Sequence, residues 1–116
     1  MCKNKKLIFE SSNLSVAELF QSKVQESPKS IAVINTDGKK YSYSEFLDRV
    51  LCLSSYLLSK GLKHGDRLAI ISENRMEYLE LQMAAAKLGL VVAAINWRLS
   101  DKEMESLDLY VYRFAE

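Results

Sequence analysis

The sequence holds only two cysteines, one proline, four glycines and one histidine among 116 residues, and each scarcity excludes something. Two cysteines, Cys2 near the start and Cys52 within an apolar helical pattern, suggest neither a disulfide framework nor a thiolate metal cluster. Cys52 is expected to be a small buried core residue. A phosphate-cradling loop needs several glycines close together, so that backbone amides can wrap an anion without steric conflict. Gly38, Gly61, Gly65 and Gly89 instead each have a local turn to make, with Gly61 and Gly65 flanking Leu62-Lys63-His64 between a helix and a strand. His64 lies in that polar turn with no carboxylate or cysteine partner in sequence, and is expected to be solvated. Charge of one sign is lacking as well. Sixteen Lys and Arg against fifteen Asp and Glu leave a net charge of +1, which gives no field to hold a nucleic acid or an anionic membrane. The only basic cluster, Lys3, Lys5 and Lys6, precedes just Leu7, Ile8 and Phe9 before Glu10 interrupts, whereas a secretory signal needs an apolar stretch of at least ~7 residues. No window approaches the ~20 apolar residues of a membrane span. An arginine-rich, acid-poor transit peptide is missing too. The expectation is a cytoplasmic protein with no membrane span and no nucleic-acid partner.

What is present is an ordinary globular composition, 48% apolar and 27% charged, at a length that supports one core. Ser15-Val16-Ala17-Glu18 is a capping box, with Leu14 and Leu19 placed for a hydrophobic staple. Val16, Leu19, Phe20 and Val24 then keep helical spacing, and Pro28 disfavours a helical Ser27, which predicts a helix over 16–26. Ile31 to Ile34 and Lys40 to Tyr43 are β-prone runs around Asn35-Thr36-Asp37-Gly38-Lys39, the signature of an antiparallel β-hairpin. Ser42-Tyr43-Ser44-Glu45 repeats the capping box. Behind it Phe46, Leu47, Val50, Leu51, Leu57 and Leu58 form a broad apolar face until Gly61 supplies a left-handed cap.

The next unit reads strand, helix, strand: Arg67 to Ser72, a helix from Met76 to Leu88 capped by Asn74 and ended by Gly89, then Leu90 to Ile95. Both strands are continuous apolar runs, the mark of parallel strands covered on two faces, and their crossover is expected to be right-handed. Ala84, Ala85 and Ala86 would let the helix approach the sheet closely. Ser100-Asp101-Lys102-Glu103 opens a last helix, in which Met104, Leu107, Val111 and Phe114 keep helical spacing to the end of the chain. The fold class expected is therefore α/β, with a β-hairpin, a right-handed βαβ unit and about four helices.

Chemistry is harder to place. Asp101, Glu103 and Glu105 sit in the first turns of a helix, where the dipole favours negative charge, so capping explains them better than acid–base work. Asn74 and Arg75 follow a strand's carboxyl end, the edge where open α/β sheets bind ligands, and have either a contact role or a capping role. Asn96-Trp97-Arg98-Leu99 also follows a strand, and its tryptophan and arginine either meet a ligand or pack against other parts of the fold.

Taken as one string, these elements resemble the amino-terminal part of the AMP-forming adenylate synthetases, the superfamily of acyl-CoA synthetases, luciferases and peptide-synthetase adenylation domains. The resemblance runs from Phe20 to Pro28 through Ile31-Ala32-Val33-Ile34 and Lys40-Tyr41-Ser42-Tyr43-Ser44-Glu45-Phe46. It is closest in Gly61-Leu62-Lys63-His64-Gly65-Asp66-Arg67-Leu68-Ala69-Ile70, and continues through Asn74, Ala86-Lys87-Leu88-Gly89, Val91 to Ile95 and Asn96-Trp97-Arg98-Leu99. The last step leans towards acyl-CoA synthetases. The resemblance implies a partial N-terminal subdomain of the adenylate-forming fold, a single incomplete domain over 1–116 that is family-like across 15–107 and ends in a divergent tail, 108–116. It implies a two-step reaction in which a carboxylate, possibly a fatty acid in the full enzyme, attacks ATP and coenzyme A then displaces AMP, with Mg2+ assisting.

The family's phosphate loop, adenine motif, magnesium-binding pair, ribose-binding aspartate and catalytic lysine all lie downstream of the matched region. No catalytic, cofactor-binding or metal residue is therefore assigned here, and the chain is expected to be an inactive fragment or truncated isoform of an acyl-CoA synthetase. The alternative is a non-catalytic interaction module that pairs with a synthetase subunit. An incomplete sheet and an under-covered helix from Met76 to Leu88 would favour self-association or pairing with the remainder of a synthetase.

Overall fold

The computed structural model describes residues 14–105 and 111–113. Ser15 opens α1, Val16–Glu26, with the capping box that its sequence promises: the Ser15 amide donates to Glu18 Oε2 at 2.7 Å and the Glu18 amide to Ser15 Oγ at 3.2 Å. The hydrogen bonds that Ser15 gives the Glu18 carboxylate, that of its amide foremost, hold the carboxyl below the usual carboxylate range. Of the expected apolar face only Phe20 and Val24 turn inward. Val16 and Leu19 are exposed, because α1 lies on the outside of the helical layer and a narrow stripe suffices.

A hairpin follows. β1, Ile31–Ile34, pairs antiparallel with β2, Lys40–Ser42, in the register Val33 to Tyr41 and Ile34 to Lys40. The turn closes through the Asn35 amide to the Lys39 carbonyl at 2.8 Å and the Gly38 amide to the Asn35 carbonyl at 2.9 Å, with Gly38 at a φ of 83°.

Helix α2, Tyr43–Ser59, starts from the second capping box, with the Ser42 amide donating to Glu45 Oε2 at 2.8 Å. Its inward line is Phe46, Val50, Ser54 and Leu57. Ser54 tolerates burial because its hydroxyl donates to the Val50 carbonyl at 2.8 Å. Leu51 and Leu58 are exposed, and so is Cys52, which is therefore not the core residue expected. One buried line at i, i+4, i+8 and i+11 uses less of the helix than the sequence's apolar content suggests.

The parallel unit consists of β3, Arg67–Ile71, α3, Met76–Leu88, and β4, Val91–Ile95. The two strands pair in register from Arg67 opposite Val91 to Ile71 opposite Ile95. Arg75, not Asn74, occupies the N-cap of α3 and makes no side-chain capping bond; Asn74 stands one residue too early to cap the first turn. At the other end Gly89 is left-handed, and Leu90 donates its amide to the Ala85 carbonyl at 2.9 Å. Leu90 thus belongs to the helix cap and β4 begins one residue later. Ala84 and Ala85 are buried while Ala86 is exposed. The helix is not under-covered, since Met76, Leu81, Ala84 and Ala85 all lie in the core with Phe46, Val50 and Leu57 of α2.

The chain's last described elements correct the sequence reading. α4 spans only Asp101–Glu105, and Val111–Arg113 is a strand, β5, parallel to β3 with Ala69 opposite Val111. Leu107 and Phe114, expected on the same helix, lie outside the described residues. The run Tyr110-Val111-Tyr112-Arg113-Phe114 carries β-prone residues as well as helical spacing, and the open side of β3 decides between them. The sheet order is β4-β3-β5, with the hairpin as a separate two-stranded sheet.

Gly89 is where backbone and side chain constrain each other most tightly. Its φ is 70°, and a Cβ built there would lie 2.1 Å from His64 Cδ2. Gly89→Ala is expected to cost roughly 1–2 kcal/mol from the left-handed backbone alone, read as a lowered urea midpoint. Adding His64→Ala removes the clash but not the backbone strain, so the double variant recovers only part of the loss. A G89A midpoint equal to that of the parent chain contradicts this account.

Candidate functional site

Because β3 and β4 run parallel and end in register at Ile71 and Ile95, the segments that follow them leave the sheet side by side. Ser72-Glu73-Asn74 and Asn96-Trp97 then form the walls of an open cavity of about 430 Å³, completed by Tyr78 from the first turn of α3. A second cavity of about 230 Å³ lies between the hairpin, at Val33 to Thr36, and the start of α3. Asn74 and Tyr78 line both. The carboxyl edge of a parallel sheet is the usual ligand edge of open α/β folds.

Each segment is fixed locally. Asn96 Oδ1 accepts from the Arg98 amide at 3.0 Å, and the Leu99 amide donates to the Asn96 carbonyl at 3.1 Å. This turn aims the Trp97 ring outward, 48% exposed, with the Arg98 guanidinium 5.0 Å from its ring centroid. Such a stacked cation and indole presents a flat, partly charged surface. On the other wall the Ser72 hydroxyl donates to the Glu73 carbonyl at 2.8 Å, and beyond that wall Arg75 Nε lies 4.0 Å from Glu77 Oε2.

The structure therefore brings Asn74 together with Asn96 and Trp97 at one cavity, while Arg75 lines the second cavity and Arg98 lies against the Trp97 ring. It places the others elsewhere. His64 is exposed against Gly89. Asp101, Glu103 and Glu105 are exposed on α4, where Glu103 Oε2 accepts from both the amide and the hydroxyl of Ser100, at 2.9 and 2.8 Å. These bonds hold the Glu103 carboxyl below the usual carboxylate range. Tyr78 is the residue that the sequence did not announce. Its place four residues after Asn74, at the same end of α3, was the only signal that the two share a wall.

A third polar feature lies on the opposite flank of α3. Arg49 of α2 donates through Nε to Glu80 Oε1, with Glu80 almost wholly buried and Arg49 partly exposed. The Glu80 hydrogen bond raises the Arg49 guanidinium further above its already high ordinary value. Arg49 also stands 5.4 Å from the Tyr41 ring centroid, tying the hairpin to the two helices. This cluster opens into neither of the two cavities at the sheet edge, and its role is to join layers.

The family model of AMP-binding enzymes matches residues 20–107. The chain belongs to the AMP-binding enzyme family. Its relatives include the medium-chain fatty-acid–CoA ligase of Escherichia coli K12, 31% identical over 86 residues, which cover 72% of this chain and 15% of that enzyme. The 4-hydroxybutyrate–CoA ligase 2 of Metallosphaera sedula is 42% identical over 73 residues, 63% of this chain and 13% of that protein. Among solved structures, the fatty acyl CoA synthetase of Mycobacterium tuberculosis superposes with a TM-score of 0.73 at 26% identity, covering 78% of this chain and 18% of that one. The Klebsiella oxytoca NpsA N-terminal subdomain superposes at 0.72 and 26% identity, covering 78% and 24%. This family member thus spans 13% and 15% of the two curated relatives. Its fold matches part of the solved fatty acyl CoA synthetase and of the NpsA N-terminal subdomain.

Trp97 is the single tryptophan of the chain, so fluorescence excited selectively at tryptophan, beyond the absorption of the six tyrosines, reads this cavity. Its emission is expected at the red position of a wet indole and open to iodide quenching. A blue, unquenched emission contradicts the exposed wall described here.

Proposed function

We propose that this chain is the N-terminal portion of an ATP-dependent acyl-CoA synthetase, in which a carboxylic acid, of the fatty-acid kind, is adenylated and then transferred to coenzyme A. The observation that carries the reading is the family match over 20–107, which includes both walls of the sheet-edge cavity. In this reading the chain supplies scaffold and one wall of a ligand cleft, with Asn74, Tyr78 and Asn96 as polar contacts and Trp97 with Arg98 as a flat stacking surface. The family-like unit runs over 15–107 of a single incomplete domain, the protein is cytoplasmic, and the chain alone is inactive.

Among the described residues, nothing supports a site for the nucleotide's phosphates or magnesium. No group of three or more His, Cys, Asp or Glu stands close enough to hold a metal ion among the described residues. Gly38 lies in the hairpin turn, and of the glycines around β3 and α3 the Gly65 amide already donates to the Gly89 carbonyl at 2.8 Å. No chemical step is therefore drawn through Mg2+ or the phosphates here; those duties fall to the rest of the enzyme.

Two measurements test the reading together. The purified chain with ATP, Mg2+ and a panel of fatty acids is expected to give no pyrophosphate exchange, and robust exchange overturns its inactivity. A chimera that carries residues 20–107 in place of the matched stretch of the E. coli ligase is expected to retain ATP-dependent formation of medium-chain acyl-CoA. A folded chimera with no such activity contradicts the assignment.

A further inference from the structure

We propose that Arg49 and Glu80 are positioning residues for the sheet-edge site: together they set the rotation of α3 about its own axis and so the place of Tyr78 between the two cavities. The proposal rests on the reading of those cavities as part of a synthetase's ligand cleft. Residues two apart on a helix project about 200° apart. Tyr78 accordingly lines both cavities, while Glu80 turns away to α2, where Arg49 donates through Nε to its Oε1. Any rotation that moves Glu80 moves Tyr78 by the same angle.

Two features make α3 depend on this pair. Met76, Tyr78, Leu79, Leu81 and Ala84 spread its apolar residues around the whole circumference, so no single stripe dictates which way it faces. Its first turn also lacks a side-chain cap, since Arg75 at the N-cap makes no such bond. Hydrophobic contact is non-directional, whereas the charge-assisted bond from Arg49 to the almost wholly buried Glu80 carboxylate has a fixed geometry.

The same guanidinium reaches the hairpin. It stands 5.4 Å from the Tyr41 ring centroid, and Tyr41 pairs with Val33, which lines the second cavity. Arg49 thus holds α3 and the hairpin wall in one frame. Side chains reach about 5–6 Å from a helix axis, so a turn of about 20° carries the Tyr78 ring about 2 Å. A misplacement of about 1 Å in a reacting site can cost ~100-fold in rate.

Replacing a buried ion pair by apolar groups of similar size often leaves stability intact, which separates positioning from stability. In the isolated chain, Arg49→Met with Glu80→Leu is expected to leave the thermal transition no lower, while residual dipolar couplings of the α3 amides report a turn of about 20° relative to β3. Should that double variant not fold, Arg49→Lys, which keeps the Glu80 charge compensated, carries the same readout. An α3 that keeps its orientation overturns the proposal.

In the chimera carrying residues 20–107, R49M/E80L is expected to lower kcat/KM for medium-chain acyl-CoA formation at least tenfold. Glu80→Gln, which keeps an acceptor for Arg49, is expected to retain most of the rate. In a Tyr78→Ala background the double variant should cost nothing further; an undiminished loss there overturns the proposal, because the pair then acts by another route. An inactive parent chimera, with α3 turning as described in the isolated variant, upholds the hold on α3 and counts against the proposed function instead.

Discussion

A strand buried at Leu68, Ala69 and Ile70 cannot leave its peptide groups to water, so every donor and acceptor along it needs a protein partner. β3 meets that demand with parallel neighbours on both sides, β4 and β5. The rest of the chain is arranged to make this strand's burial consistent. Leu68 and Ile70 point into the core that Phe46, Val50 and Leu57 of α2 share with Leu81, Ala84 and Ala85 of α3. At roughly 1.5–3 kcal/mol for each large apolar side chain fully buried, this cluster outweighs any single polar contact in the chain. Because β3 and β4 are in register, the same constraint puts their carboxyl ends level and so creates the cavity between Asn74 and Trp97.

Polar interactions then fix the order of the layers more than they add stability. The Arg49–Glu80 pair links α2 to α3, and Arg49 stacking on Tyr41 brings in the hairpin. With Arg49 partly solvated, the net worth of the pair is modest, but a buried Glu80 without Arg49 would be costly. The pair therefore specifies which faces meet. Phe20, edge-on to Phe46 with ring centroids 5.6 Å apart, does the same for α1.

What could be read from sequence was whatever local chemistry decides. Three Ser-x-x-Glu boxes marked three helix starts, and Gly89 ended α3 because a left-handed cap there suits glycine. Continuous apolar runs gave the parallel pair. The failures lie where tertiary context overrides a local pattern. Cys52, Leu51 and Leu58 face out while Ser54 faces in, since α2 packs on one side only and a serine can bond its own helix. Val111 satisfied helical spacing but joined β3 because that strand had an open side. At the site, Asn74 and Asn96-Trp97-Arg98 were visible as strand-end segments. Tyr78 was not, because the helix bounds were legible as Met76 to Leu88 but which of its side chains turn to the sheet edge depends on how the helix packs.

The central claim is that β3 is the most protected element and β4 a half-open edge. Native-state amide exchange, resolved by residue, tests it most directly. The account predicts that Leu68 to Ile71 exchange only through global unfolding, that Val91, Ala93 and Ile95 follow closely, and that the outward amides of Val92 and Ala94 exchange far faster. Exchange of the β3 amides as fast as those of the hairpin, or strong protection at Val92 and Ala94 in the isolated monomer, would contradict it.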